Sequence, residues 1–356
     1  TGTAGKTSVK EVLADLLGHY GVVSRNFMNM NNQIGLPVSM LNADEQADYW
    51  VLEAGISKAG DMDELGALLR PDLAVILNVG PGHTSGLGDK GVAYHKARFL
   101  AHLAEGGQAL LNCDYADLML ESQAYARTKS YFSTRRADAD FYAVYEGPAS
   151  AASGSFALKL QGRDLQVSAP FRGVFGAENV AAIAGAASLL GLSPNQIRDG
   201  IGETALPAQR FNLSFYKNTV LIDDSYNSNP LSASRMLESA AEMAREKKLP
   251  LFLVMGEMGE QDQSELVHRD LGREMAESRA AAIFWKGGQA DAVREGLERN
   301  EFEGKFTLVA DAESFRAAVA EVYPGNGVFL FKGSRSNRLE ELVKVFVADY
   351  WTDYAE

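Results

Sequence analysis

Short apolar runs alternate with amphipathic stretches along the first part of the chain. Clustered apolar positions at residues 50–52, 73–79 and 109–111 predict strands, and apolar positions three and four apart predict helices over 7–20, 92–103, 116–126 and 177–190. A further helix is predicted from Pro194, because Ser193 is a good N-cap and proline is favoured at the first helical position. Strands that alternate with helices favour a mostly parallel α/β sheet.

The pattern changes between about residues 138 and 170. There, residues 141–145, 155–160 and 164–169 alternate apolar and polar positions with a period of two. Turn-forming residues, Gly147-Pro148 and Gly162, separate these runs. This segment therefore predicts a small antiparallel sheet beside the parallel one.

A second α/β pattern begins after Pro207. It predicts strands over residues 220–223, 251–255, 281–285, 306–309 and 328–331, and helices over 231–247, 265–278, 290–299, 312–322 and 339–350. Asp311 is a suitable N-cap for the fourth of these helices. We therefore expect two domains, 1–205 and 206–356, the second a doubly wound, Rossmann-like fold that binds ligands at the carboxyl ends of its strands.

The composition narrows the class of protein. Lys and Arg number 34 and Asp and Glu 47, so the net charge is 34 − 47 = −13, which disfavours general binding to nucleic acid or to an anionic membrane. No apolar run reaches the ~18 residues that cross a bilayer. Cys113 is the only cysteine, so no intrachain disulfide can form, which fits a reducing compartment such as the cytoplasm.

Residues 1–8 have the character of a phosphate-binding loop. Gly5-Lys6-Thr7 matches the end of the Walker pattern, whose first glycine would lie one residue before Thr1. Lys6 would reach the β- and γ-phosphates, the Thr7 hydroxyl would join Mg²⁺, and the phosphates would lie at the N-terminus of the helix that follows. The alternative is a glycine-rich turn that precedes Lys-Thr by chance.

Polar clusters follow five of the predicted strands. They begin at Glu53, at Asn78, at Asp223, at Gly256 and at Lys332. Because functional sites of doubly wound folds lie at the carboxyl ends of strands, this repetition indicates a site. The alternative for any single cluster is that polar residues only terminate the strand.

Each candidate site residue also has an alternative interpretation in which its role is only structural. Glu53 is either a Mg²⁺ ligand or a partner for a helix N-terminus, and His83 is either a metal ligand or a solvated turn residue. The alternatives for the others are a surface position for Lys96 and His268, an Asx turn for Asn31 and Asn32, and a domain-linking salt bridge for Arg210.

Together these segments resemble the Mur ligase family, the ATP-dependent amide-bond ligases of peptidoglycan synthesis. The matching segments occur in family order along the whole chain: residues 1–8, 31–37 (Asn-Asn-Gln-Ile-Gly-Leu-Pro), 52–61, 78–83, 96, 175–179, 210, 223–230, 256–260, 268 and 332–335. The segments 31–37 and 223–230 (Asp-Asp-Ser-Tyr-Asn-Ser-Asn-Pro) are specific to the branch that adds D-alanyl-D-alanine to UDP-MurNAc-tripeptide.

The resemblance implies a cytoplasmic, monomeric ligase that transfers the γ-phosphoryl of ATP to a carboxylate and lets an amine attack the acyl phosphate. It implies a central P-loop ATPase domain over 1–205, truncated at its start, and the absence of an N-terminal UDP-binding domain, so that this chain alone is expected to be incomplete as an enzyme. Two alternatives stay open: another Mur or folylpolyglutamate-type ligase with a different amino substrate, and a non-catalytic nucleotide-binding fragment. An ordinary P-loop phosphotransferase would not need the clusters at 223–227 and 332–335.

The resemblance also implies roles for individual residues. ATP would contact Gly2, Thr3, Ala4, Gly5, Lys6, Thr7, Ser8, Asn179, Arg210 and Asp224. Two Mg²⁺ ions would be held by Thr7, Glu53, His83 and Lys96, the last as a carbamate formed with CO₂, which replaces a cation by an anion. The nucleotide-sugar peptide and the dipeptide would contact Asn31, Asn32, Tyr226, Asn227, His268, Lys332, Ser334 and Arg335. Direct catalytic roles would belong to Lys6, His83, Lys96 and Arg335.

Two positions depart from the family pattern. Asp61 replaces a glutamate that many members carry, and Glu257 stands where aspartate is usual. Both changes keep the charge and alter only the reach of the carboxylate.

Overall fold

The computed structural model describes residues 1–80, 86–160, 162–259, 261 and 263–351. The chain divides into two compact units, Thr1–Pro207 and Ala208–Glu356. Each unit is built around its own six-stranded sheet. None of the helices in the described ranges is long and apolar enough to span a bilayer.

The N-terminal unit contains eight strands within the described ranges. They are β1 (Val23–Arg25), β2 (Tyr49–Val51), β3 (Leu73–Ile76), β4 (Gln108–Asn112), β5 (Thr128–Ser133), β6 (Phe141–Pro148), β7 (Gly154–Leu160) and β8 (Arg163–Ala169). Strands β3 to β6 pair in parallel, and β6 to β8 pair antiparallel. The antiparallel segment predicted over residues 138–170 is therefore confirmed, and it continues the parallel sheet. Strands β1 and β2 form a parallel pair of their own.

Seven α-helices accompany these strands in the described part of the unit. They are α1 (Lys6–Gly18), α2 (Gly35–Leu41), α3 (Asp61–Leu69), α4 (Gly91–Ala97), α5 (Ala116–Ser122), α6 (Gly173–Leu189) and α7 (Pro194–Gly202). The helix predicted over 92–103 is shorter, because a 3₁₀ turn over Arg98–His102 follows α4. Ser193 caps α7 as predicted, in a reciprocal capping box with Gln196.

Both faces of the N-terminal sheet are covered. Strand β4 shows this, because Leu110 packs into one hydrophobic cluster while Ala109 and Leu111 pack into the other. Helix α6 lies close to the sheet at Gly185, where a Cβ atom would come within 2.9 Å of Leu110 and Phe141. Two covered faces place the polar residues of the unit at the strand ends and in the loops.

The C-terminal unit is a doubly wound sheet, as predicted. Its strands are β9 (Asn212–Tyr216), β10 (Thr219–Asp224), β11 (Leu251–Gly256), β12 (Ala282–Lys286), β13 (Lys305–Leu308) and β14 (Gly327–Lys332), in the spatial order 13-12-11-14-10-9. Its α-helices are α8 (Pro230–Lys247), α9 (Ser264–Glu277), α10 (Ala290–Arg299), α11 (Ala312–Val322) and α12 (Leu339–Tyr350). Among the strands described in this unit, only β9 is antiparallel to its neighbour, and it was not predicted.

The strand order brings three predicted clusters to one edge of this sheet. Strands β10, β14 and β11 are parallel neighbours, so their carboxyl ends lie side by side. Residues 223–227, 332–335 and 256–259 follow these three ends. Strands β11 and β14 are buried along their whole length, and this rigid centre fixes where the loops begin.

Candidate functional site

The predicted phosphate loop lies at the N-terminus of α1. Gly5 has a φ of 79°, in the left-handed region that favours glycine, and a Cβ there would lie 2.7 Å from Asn179 Oδ1. The first helical hydrogen bond is donated by the Val9 amide to Gly5 O, so the amides of Lys6, Thr7 and Ser8 lie in the first turn. Such a helix end favours an anion.

Asn78 holds the loop in place. Its Oδ1 accepts hydrogen bonds from the amides of Thr3 (2.9 Å) and Ala4 (2.8 Å), and its Nδ2 donates to Ala4 O and to Glu178 Oε1. This differs from the expectation that the Thr3 and Ala4 amides face phosphate directly. Gly2 is buried against Leu77, where a Cβ would be 2.9 Å from the leucine Cβ. Residues 2–4 are therefore the anchored part of the loop, and the helix end is its open part.

Glu53 lies beside the phosphate loop with both carboxylate oxygens in contact with predicted site residues. The Thr7 hydroxyl donates to Glu53 Oε2 (2.7 Å), and Asn31 Nδ2 donates to Oε1 (2.5 Å). Glu53 is only 3 % exposed. Neighbouring ligands of an octahedral ion with ~2.1 Å bonds lie about 3 Å apart, so the Thr7 and Glu53 oxygens fit as adjacent Mg²⁺ ligands.

Asn26 fixes the backbone of Glu53. Its Oδ1 accepts from the Glu53 amide (2.9 Å), and its Nδ2 donates to Glu53 O (3.2 Å) and to Met30 O. Lys10, 4 % exposed, donates to the carbonyls of Asn26 and Met28. Two buried polar side chains thus position the predicted metal ligand.

Asn32, in contrast, forms the Asx turn that was the alternative to a substrate contact. Its Oδ1 accepts from the amides of Ile34 (3.2 Å) and Gly35 (2.8 Å) at the start of α2, and its side chain is exposed. This is an Asx turn that caps a helix. The structure brings Asn31 to Glu53, and it does not bring Asn32 there.

Lys96 is buried in α4. The surface position that was the alternative for this lysine is therefore not observed. It is 3 % exposed, and burial, reinforced by the charge of Lys6 nearby, holds its pKa well below the ordinary value of 10.5, with Glu53 acting in the opposite direction. Lys6, Glu53 and Lys96 are therefore close enough to interact. His83 lies outside the described residues.

Metal ligation by protein groups alone is not supported in the described ranges. They contain no group of three or more His, Cys, Asp or Glu side chains arranged to hold an ion. Mg²⁺ usually takes one or two carboxylates, with phosphate oxygens and water as its other ligands, so Thr7 and Glu53 suffice for that ion.

Asn179 faces the phosphate loop from α6. It is 3 % exposed, and its Oδ1 has no hydrogen-bond partner among the residues described. An unsatisfied buried acceptor costs about 1–3 kcal/mol, so this oxygen is suited to a donor that a ligand supplies. The nucleotide contact of Asn179 stays a prediction.

A cavity of about 450 Å³ lies next to this site, between β2 and β3. Its walls include the apolar residues Val51, Leu73, Val75 and Leu77, and Lys6 lines it, but residues 2–5 do not. The cavity is lined by both apolar and charged residues, and it shares Lys6 and Glu53 with the site at the N-terminus of α1.

In the C-terminal unit, Asp224 and Lys332 form a buried ion pair. Lys332 Nζ lies 2.5 Å from Asp224 Oδ2 and also donates to Asn227 O, and the lysine side chain is 1 % exposed. The ammonium of Lys332 therefore holds the loop after β10, and its predicted contact with substrate stays a prediction. Asp224 Oδ1 also accepts from the Phe211 amide (3.0 Å).

Two arginines surround one tyrosine in the same unit. The guanidinium carbon of Arg210 lies 4.1 Å from the centre of the Tyr226 ring, and that of Arg335 lies 5.9 Å from it. The Arg335 side chain is 60 % exposed and pairs with Glu340 at 3.2 Å. The structure thus brings three predicted residues together, with charged groups open to solvent, and the exposed Asn227 lies next to Tyr226.

His268 and Ser334 use their polar atoms for hydrogen bonds within the C-terminal unit. His268 is fully buried, its Nε2 accepts from the Met258 amide (2.9 Å), and its Nδ1 donates to Ser264 O (2.6 Å). Burial lowers its pKa, and the two partners fix this neutral tautomer. Ser334 Oγ accepts from the Gly259 amide (2.7 Å). Both side chains therefore hold the loop after β11, and their predicted substrate contacts stay predictions.

The sequence patterns missed Asn26 and gave Asn78 no role. Asn26 follows β1, a strand too short to predict, although the signal is the same as elsewhere: a polar residue directly after a strand. Asn78 lies in a cluster that was recognised, but only the structure shows its four hydrogen bonds to the loop and to Glu178.

Comparison with known proteins agrees with this arrangement. The Mur ligase middle domain matches residues 1–187, and the Mur ligase, glutamate ligase domain matches residues 209–335. The chain belongs to the Mur ligase family.

Relatives of this Mur ligase include the UDP-N-acetylmuramoyl-tripeptide--D-alanyl-D-alanine ligases of Escherichia coli (strain K12) and Bacillus subtilis (strain 168). The first is 30% identical over 97% of the chain and 75% of the relative, and the second is 28% identical over 97% and 74%. Solved structures include MurF from Acinetobacter baumannii, with a TM-score of 0.85, 28% identity and coverage of 99% and 75%. MurF ligase from Thermotoga maritima in complex with ADP has a TM-score of 0.85, 25% identity and coverage of 99% and 79%.

Proposed function

We propose that this Mur ligase joins D-alanyl-D-alanine to UDP-MurNAc-tripeptide at the expense of ATP, with Mg²⁺. The observation that carries the proposal is the hydrogen bond from Thr7, the residue after Lys6 at the N-terminus of α1, to the buried Glu53. Lys, a helix end and an adjacent hydroxyl–carboxylate pair are the groups that phosphoryl transfer uses. The relatives named D-alanyl-D-alanine ligases support the choice of substrates.

The reaction has two steps that balance. The carboxylate of the tripeptide attacks the γ-phosphorus, the bond to the β,γ-bridging oxygen breaks, and ADP leaves. The amine of D-alanyl-D-alanine then attacks the acyl carbon, an amide bond forms, and phosphate leaves with loss of a proton from nitrogen. Mg²⁺, when bound, supplies charge neutralisation on the phosphate oxygens.

The residues of the N-terminal unit bind and orient the phosphates. Lys6 and the first turn of α1 hold the β- and γ-phosphoryl groups, while Asn78 keeps the loop in shape. Thr7 and Glu53 would hold one Mg²⁺. Asn31 donates to Glu53 and so orients that carboxylate. We also assign its amide to the nucleotide-sugar peptide.

The finer part of the proposal is a second Mg²⁺ held by His83 and a carbamylated Lys96. Carbamylation requires a neutral amine: Nζ forms a bond to the carbon of CO₂ and one proton leaves to solvent. The lowered pKa of Lys96 supports this, because more of the amine is neutral near pH 7. The charge of Lys6 nearby would then stabilise the carbamate.

Labelled bicarbonate tests this part alone. A carbamate carbon resonance in the NMR spectrum is expected for the protein and for Lys90→Ala, a lysine on a neighbouring turn, and not for Lys96→Ala. A spectrum without the resonance in the unchanged protein removes the carbamate from the proposal. It leaves the assignment of Lys6, Thr7 and Glu53 as it is.

In the C-terminal unit, Arg335 is the group best suited to the substrates. A planar guanidinium can form bidentate hydrogen bonds with a carboxylate, and the Arg335 side chain is exposed to solvent. We assign it to the carboxylate of D-alanyl-D-alanine and Arg210 to the nucleotide. The reaction would take place in the cytoplasm, where ATP is made, and the monomeric state stays a prediction.

Phosphate release from ATP tests the function. The protein is assayed with Mg²⁺, UDP-MurNAc-tripeptide and a panel of amino acids and dipeptides, and Lys6→Ala serves as the inactive control. Release is expected to require D-alanyl-D-alanine together with the tripeptide. Release with a single amino acid in its place would assign a different Mur-type ligase. Nucleotide binding without release under any condition would leave only the nucleotide-binding role.

A further inference from the structure

Three loops of the C-terminal unit converge on one buried side chain, Asn337. This residue ends the 3₁₀ turn Arg335–Asn337 and is 7 % exposed. Its Nδ2 donates to Glu257 O (2.7 Å), across to the loop after β11, and to Ser334 O (3.1 Å) within its own turn. One amide group therefore connects the loop that follows β11 to the loop that follows β14.

Three glycines make room for this side chain. A Cβ at Gly256 would lie 2.7 Å from Asn337 Cγ, one at Gly287 would lie 2.9 Å from Oδ1, and one at Gly333 would lie 3.2 Å from Nδ2. These glycines end β11, follow β12 and follow β14. A larger residue at Gly256 or Gly287 would displace the amide, so three neighbouring strand ends have a shape that fits Asn337.

The same two loops exchange two more hydrogen bonds. The Ser334 amide donates to Glu257 O (3.2 Å), so this carbonyl accepts from both Ser334 and Asn337. The Gly259 amide donates to Ser334 Oγ (2.7 Å). Removing the Asn337 amide takes away the shortest bond to Glu257 O and weakens the cooperative set.

Arg335 depends on this connection. It begins the turn that Asn337 ends, and its guanidinium is exposed, with Glu340 as its ion-pair partner. The backbone position of Arg335 is therefore set by the base of the turn. Small displacements of a residue that orients a substrate carry large costs in rate or affinity.

We propose that Asn337 is a positioning residue that fixes Arg335 and the loop Gly256–Gly259 for the amino substrate. The link to the amino substrate rests on the proposed function. The link to the two loops rests on the hydrogen bonds and the glycine contacts alone.

Two variants of Asn337 and one matched control test the proposal. Asn337→Ala removes the amide, and Asn337→Asp keeps its shape while removing the donor to Glu257 O. The control is Asn300→Ala, since Asn300 Nδ2 also donates to a backbone carbonyl, Gly296 O (2.8 Å), at the end of α10. Hydrogen exchange of the Gly259 and Ser334 amides is measured together with the KM for D-alanyl-D-alanine and for ATP.

Exchange at both amides should be roughly tenfold faster in the Asn337 variants and unchanged in the control, since about one hydrogen bond's worth of protection is lost. The KM for D-alanyl-D-alanine should rise on the order of tenfold, while the KM for ATP stays the same. Unchanged exchange in a folded Asn337→Asp protein would overturn the proposal, as would faster exchange with an unchanged KM for D-alanyl-D-alanine. If the unchanged protein does not use D-alanyl-D-alanine, the proposed function is refuted. The exchange rates of the Gly259 and Ser334 amides would then still test whether Asn337 holds the two loops.

Discussion

Replacing Asn78 by alanine separates anchoring of the phosphate loop from general stability. The change removes four hydrogen bonds, two accepted from the amides of Thr3 and Ala4 and two donated to Ala4 O and Glu178. At about 1 kcal/mol for each bond, the free energy of unfolding of the N-terminal unit should fall by about 4 kcal/mol. Without its anchor the loop must be ordered by the ligand, so ATP should bind at least tenfold more weakly.

Asn112 supplies a control in the same sheet. It is fully buried at the end of β4, where its side chain donates to Leu77 O and accepts from the Asp114 amide, and neither of these hydrogen bonds involves residues 2–5. Asn112→Ala should therefore lose about 2 kcal/mol of stability and keep its affinity for ATP.

Urea unfolding followed by titration calorimetry with a non-hydrolysable ATP analogue and Mg²⁺ measures both effects below the unfolding transition. The two variants would differ in affinity and not only in stability. Equal affinities of Asn78→Ala and Asn112→Ala for the analogue would refute the reasoning, because the loop would then bind phosphate without its anchor.

Three further changes test other parts of the site. Glu53→Gln keeps the shape of the side chain and should abolish Mg²⁺-dependent phosphate release, while the free energy of unfolding changes by about 1–2 kcal/mol. The control Glu105→Gln, at an exposed position, should behave like the unchanged protein in both assays. Because folding lowers the pKa of Lys96, the unfolded chain binds more protons, and the free energy of unfolding should rise with pH from the lowered pKa up to 10.5. Lys96→Met should flatten this rise, measured by urea unfolding at a series of pH values. The same slope in the variant and the unchanged protein would contradict the assignment. Lys332→Met leaves Asp224 buried without its cation, so the free energy of unfolding measured by chemical denaturation should fall by about 3–5 kcal/mol. A fall of less than about 1 kcal/mol would show that the ion pair does not hold its loop.

The order of strands and helices followed from the sequence where apolar periodicity was strong. Strand β11 and helix α8 are examples, because continuous burial and a 3.6-residue period each leave a clear pattern. Strands β1, β5 and β9 were missed, since β1 has three residues and the other two carry mostly partly exposed positions. Their strand conformation is decided by pairing, which for β1 and β5 involves strands about 20 or more residues away and for β9 is with β10, the next strand along the chain.

The candidate site was predictable in its residue types but not in the roles of its side chains. Lys6, Thr7 and Glu53 come together as the motifs suggested. Lys332, His268 and Ser334 were predicted to contact ligands, yet each uses its polar atoms to hold a loop. A motif records which residues a site needs and does not distinguish a residue that contacts the substrate from one that positions its neighbour.

The most direct measurement is the mass of the product formed from UDP-MurNAc-tripeptide, D-alanyl-D-alanine, ATP and Mg²⁺. The account predicts a product whose mass is the sum of the two substrates less one water, formed in step with ADP and phosphate, and lost in Lys6→Ala. Consumption of ATP with a product that contains a single amino acid in place of D-alanyl-D-alanine, or with no amide product, would contradict it.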